Sequence, residues 1–179
     1  MGPPPWTLEL VALASAAGLT WSGMTGVKLA AYMWWAAFGI VLAFVDLAVY
    51  RLPARLSHAA TGGLLAMLLV DAWVTHTWQP WVRAALGALI AGAAVAACAL
   101  ALPALVHWGD ARYALAMGAA AAWAGWLALY AAAFLATLGA ALVGLVLIAA
   151  RRASMTTQVP QGAFLYGGAL LAVVLVLHR

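Results

Sequence analysis

An all-α fold, a polytopic bundle of about six to seven transmembrane helices, is predicted by two features of this chain. Its 179 residues are 69% hydrophobic and only 7% charged, whereas a soluble domain carries about 25% charged residues. The apolar residues also form long continuous runs rather than alternating ones, and the runs approach the ~20 residues that a helix needs to cross a bilayer. One bundle uses the whole length, so residues 1–179 read as a single membrane-embedded domain.

Seven segments follow in order, at roughly 6–24, 29–50, 58–76, 81–105, 111–130, 132–150 and 162–178. The first ends at Gly23-Met24-Thr25-Gly26, and the second at the Arg51 to Ser57 stretch that contains Pro53. Pro53 lacks an N–H and is expected to stop the helix before it. Thr77-Trp78-Gln79-Pro80 separates the third from the fourth, and His107 to Asp110 the fourth from the fifth. The fifth and sixth are the shortest and are joined by very little. Arg151 to Gln161 is the long polar stretch before the seventh. Small residues, among them Gly87, Gly92, Gly118 and Gly139, suit close helix packing.

The basic residues stand at segment ends, where they set topology. Alternating crossings place Arg51, Arg55, Arg112, Arg151 and Arg152 on one side, and Lys28, Arg83 and Arg179 on the other. The richer side reads as cytoplasmic. A net charge of +4 spread this way does not point to nucleic acid. Trp21, Trp34, Trp35, Trp78 and Trp81 lie near segment ends and read as aromatic belt or packing. The start, Met1-Gly2-Pro3-Pro4-Pro5, has no basic n-region, so a cleaved signal peptide is not expected. Cys98 is the single cysteine, which excludes an intrachain disulfide and a thiolate zinc site. No two histidines have ligand spacing, and no cofactor is implied.

Four acidic residues occur in the chain, and two of them carry the functional reading. An ionised carboxylate is costly at membrane depth and marks a functional site by default. Asp46 ends the second segment and Asp110 begins the fifth, with two crossings between them. Both therefore lie at one end of the bundle. Asp71 follows Arg55 by 16 residues, about 24 Å of helix, and belongs to the opposite end. Glu9 reads as an interfacial charge that could cap or pair.

Two carboxyls at one depth suggest aspartyl-protease chemistry. The ionised partner makes a water nucleophilic and the protonated partner supplies a proton to the leaving amine. Close like charges share one proton, and the titration belongs to the pair. The helix dipole favours charge on Asp110, before a helix, and disfavours it on Asp46, at the end of one. This makes Asp46 the resting proton holder and Asp110 the base, an order that the nearby Arg51 could reverse. Gly109 permits a positive φ or a close backbone approach, so a substrate strand could pass beside Asp110. His107 is close enough in sequence to tune Asp110.

Three stretches in register resemble the type IV prepilin leader peptidases, membrane aspartyl peptidases with a Gly-x-Gly-Asp motif. The first is Asp46 with Arg51, Leu52, Pro53 and Leu56. The second is Trp108-Gly109-Asp110-Ala111-Arg112 with Gly118 and Gly125-Trp126 beyond it. The third is Val159-Pro160-Gln161-Gly162-Ala163-Phe164-Leu165. The resemblance covers nearly the whole chain and implies a catalytic pair, Asp46 and Asp110, supported by Gly109, Arg112, Pro53 and His107. It implies an aspartic-type endopeptidase that removes the basic leader of a prepilin-like, single-span substrate. The site would face the cytoplasm from the plasma membrane of a bacterium. The paired-cysteine cytoplasmic domain of long members is not found in the sequence, so methyl transfer is not expected. His107 stands where the family has its first glycine, and Ala163 where it has its second proline. These departures motivate an alternative, a catalytically silent assembly scaffold. A small transporter is a third reading, although its carboxylates would be expected near the midplane.

Overall fold

The computed structural model describes residues 5–49, 52–103, 105–151 and 160–178. Seven helices occur among them: α1 (Pro5–Trp21), α2 (Gly26–Val49), α3 (Ala54–Thr75), α4 (Gln79–Ala101), α5 (Trp108–Ala124), α6 (Trp126–Ala149) and α7 (Gln161–Leu177). The chain is an all-α membrane protein. Helices α2, α3, α4 and α6, of 22 to 24 residues, are long and apolar enough to cross a bilayer, while α1, α5 and α7 have 17 residues each.

Local chemistry explains the breaks. Pro53 is the N-cap of α3, and its carbonyl accepts the Leu56 and Ser57 N–H groups. The third helix ends on His76 in the left-handed conformation, with φ 53°. The largest departure from the sequence reading is the α5–α6 boundary, at Gly125 rather than near residue 131. Gly125 has φ 156° and ψ 162°, a region open essentially to glycine alone.

Helix α5 is the axis of the bundle. Twelve of its 17 residues are buried, and it packs against α2, α3, α4, α6 and α7. Small residues make this possible: a Cβ on Gly118 would press into the Gly87 carbonyl and the Ala91 methyl. In α6 only Ala128, Leu129, Ala132 and Ala136 are buried. Its remaining apolar surface, such as Leu127, Phe134, Leu145 and Val146, is exposed, as suits a lipid-facing helix.

Buried hydroxyls tie the helices together. Tyr32 donates to the Ala120 carbonyl at 2.6 Å, Tyr113 to the Gly39 carbonyl at 2.9 Å, and Tyr166 to Ser15 Oγ at 2.8 Å. Trp35 is fully buried between Tyr32 and Tyr166, so it is core and not belt. Trp21, Trp73 and Trp78 are exposed near one end of the bundle.

Candidate active site

The spanning lengths of α3 and α4 return the chain to the side on which α2 ended. Asp46, one turn before the end of α2, and Asp110, in the first turn of α5, therefore stand at the same end. Both side chains are buried, at 4% and 5% exposure. The charge of Asp46 acts on Asp110, and His107 acts electrostatically on both.

Each carboxyl is fixed by a backbone donor. Oδ2 of Asp110 accepts the N–H of His107 at 2.8 Å. His107 is the N-cap of α5 and Asp110 its N3 residue, so this bond satisfies a donor left open at the helix start. Oδ2 of Asp46 accepts the N–H of Gly162 at 2.7 Å, across 116 positions of sequence. Gly162 is the second residue of α7. Asp46 therefore sits near the end of its own helix and at the positive start of another. Helix ends no longer separate the two carboxyls, and the assignment of the resting proton to Asp46 loses its ground.

Gly162 is the residue that sequence reasoning missed. A Cβ there would stand 3.0 Å from Oδ2, 3.2 Å from Cβ and 3.3 Å from Cγ of Asp46. Only a residue without a side chain brings the α7 backbone this close. The available signal was its place after Pro160, the N-cap of α7, in the third resemblance stretch.

The supporting residues take distinct places. Gly109 is helical, without a positive φ, and its close approach is to the chain's own Leu52, whose Cβ would lie 3.2 Å from an added Cβ. The contact docks the start of α5 on the turn before α3. Pro53 begins α3 beside Leu52. His107 is exposed at the head of α5, and Arg112 is exposed one turn further on. Arg51 and residues 152–159 lie outside the described residues. Asp71 is buried in α3 at the other end of the bundle, and Glu9 is exposed on α1.

The fold and this end of the bundle define a class: a helical membrane protein with two buried, electrostatically linked carboxyls, each held by the backbone at a helix start. No family model, no curated protein and no solved structure matches the chain.

Proposed function

We propose that the chain is a membrane aspartic endopeptidase that cleaves the basic leader from prepilin-like or pseudopilin substrates. The observation that supports it is the Asp46/Asp110 pair: two buried carboxyls from α2 and α5, electrostatically linked at one end of the bundle. In the reaction one carboxylate takes a proton from water as the water oxygen bonds to the scissile carbonyl carbon. The other carboxyl donates its proton to the amide nitrogen as the C–N bond breaks. Gly162 and His107 hold the two groups through Oδ2, and in this reading Oδ1 of each serves the water and the amide.

The substrate's single helix would pack on the bundle, and its leader would meet the carboxyls at the cytoplasmic edge of a bacterial plasma membrane. The Arg excess at the end that holds the pair supports that orientation. Processing of a purified prepilin-like substrate, read as a mobility shift on a gel, tests the proposal. Unprocessed substrate with wild-type protein in lipid would end it.

A further inference from the structure

The end of the bundle opposite the two carboxyls holds a cleft of about 620 Å³, formed by the α1–α2, α3–α4 and α5–α6 turns. That is within the ~300–1,000 Å³ typical of small-ligand sites. Its charged lining is Lys28, Asp71 and Arg83, and its hydroxyl lining is Ser22, Thr25, Thr75 and Thr77.

Asp71 is the outstanding group. It is 5% exposed, and its Oδ2 is buried with no hydrogen-bond partner among the described residues. A buried carboxylate oxygen left unpaired is costly, and this one belongs to a residue that lines a cleft. The proposed peptidase reaction makes no use of it.

The hydroxyls indicate what kind of group would answer it. Ser22 donates to the Leu19 carbonyl at 2.7 Å, and Thr75 to the Asp71 carbonyl at 2.8 Å. Thr75 and Thr77 are 2.6 Å apart, and with the Thr75 proton already used, Thr77 is the donor. The protons of Ser22, Thr75 and Thr77 are therefore directed to the chain's own oxygens. What these hydroxyls offer the cleft is acceptor lone pairs. Together with the Asp71 carboxyl they suit a cation with several N–H donors.

Lys28 and Arg83 bring the opposite charge to the same cleft. Arg83 donates through Nε and Nη2 to the Ala122 and Trp123 carbonyls at the end of α5, which fixes its guanidinium in place. A ligand that satisfies both halves carries an ammonium and an anion a few bonds apart. The exposed Trp21, Trp73 and Trp78 mark this level as the headgroup layer.

We infer that this cleft binds a phosphoethanolamine group, with its primary ammonium on Asp71 and the threonine oxygens and its phosphodiester toward Lys28 and Arg83. Membrane lipid or a soluble phosphoethanolamine ester could supply it. The test uses delipidated protein in detergent, with bound lipid counted by native mass spectrometry. Phosphatidylethanolamine should be retained at least tenfold better than phosphatidylcholine, whose quaternary ammonium has no N–H to donate. Asp71→Asn should erase that preference, and Lys28→Gln should weaken both lipids alike. Competition by soluble glycerophosphoethanolamine at similar concentration would identify the free ester as sufficient, and its failure would identify the lipid as the source. Equal retention of the two lipids by the wild type, or an unchanged preference in Asp71→Asn, would overturn the inference. If Asp71→Asn does not fold, the wild-type comparison decides alone.

Discussion

Gly162→Ala tests the geometry of the carboxyl pair at a small cost to the fold. The new methyl carbon would lie 3.0 Å from Asp46 Oδ2 and 3.2 Å from Asp46 Cβ. Those contacts are shorter than ordinary van der Waals separation, so α7 and Asp46 must part by a few tenths of an ångström. The bond that gives way is the 2.7 Å N–H···O contact from Gly162. A hydrogen bond to a charged group contributes about 1.5–3 kcal/mol, which corresponds to roughly a 10- to 100-fold change in an equilibrium or a rate. Helix propensity works the other way, because alanine is favoured over glycine within a helix by up to ~1 kcal/mol.

Gly162→Ala is therefore expected to lower leader cleavage by about tenfold or more and, because propensity offsets only part of the lost bond, to lower the thermal midpoint modestly. Gly167→Ala is the matched control, since an added Cβ there meets nothing within 4 Å. Cleavage rates and melting curves of both variants, measured in the same lipid, give the comparison. Wild-type cleavage by Gly162→Ala would refute the claim that α7 sets the position of Asp46.

Asp46→Asn and Asp110→Asn should each abolish processing in a protein that still inserts and folds, while Asp71→Asn, at the far end, should process normally; activity in either of the first two would end the two-carboxyl mechanism. In a Cys98→Ala background, cysteines at the exposed positions His58 and Trp108 should label from the cytoplasm and one at Thr77 from outside. Labelling of His58 and Trp108 positions from opposite sides would break the count of crossings. Gly118→Ala forces α5 away from the Gly87 carbonyl and should destabilise the bundle by about 1–3 kcal/mol, visible as a lower thermal midpoint. Gly39→Ala, whose added Cβ clashes more severely than that of Gly162→Ala, should lower stability further and cleavage with it, and a variant that matches the wild type in both would contradict the packing argument.

The helix count was legible because polar residues are scarce enough to punctuate the chain. The α5–α6 boundary was not, since apolar residues continue on both sides of Gly125 and the break is made by backbone conformation alone. Asp46 and Asp110 stood out for the same reason as the turns: a charge among apolar residues is conspicuous. Their partners were hidden. A backbone N–H belongs to nearly every residue, so the one sequence signal for the Gly162 N–H as the donor to a carboxylate 116 positions away was its place after Pro160 in the third resemblance stretch. Arg112, which the resemblance places in support of Asp110, is turned outward by helical geometry to an exposed position.

The pair is built by three helices, and the joint that registers them lies away from the carboxyls. Gly39 is seven residues before Asp46 in α2, two turns along the same face. Its carbonyl accepts the Tyr113 hydroxyl from α5. A Cβ on Gly39 would stand 2.5 Å from the Tyr166 ring of α7 and 3.4 Å from the Tyr113 oxygen. Tyr166 is itself held by its bond to Ser15 and by the Trp35 ring, 5.4 Å away. Two turns above the carboxyls, then, α2 meets both helices whose first turns hold Asp46 and Asp110. A side chain at Gly39 would tilt α5 and α7 relative to α2, and the lever of two helical turns would carry that tilt to the Gly162–Asp46 bond. The hydroxyl bonds at this joint are buried where water does not compete, so they resist that tilt more strongly than exposed bonds would. Placement of the two carboxyls follows from how tightly three backbones can meet, which is why the residues that govern it are glycines and tyrosines rather than further charged groups.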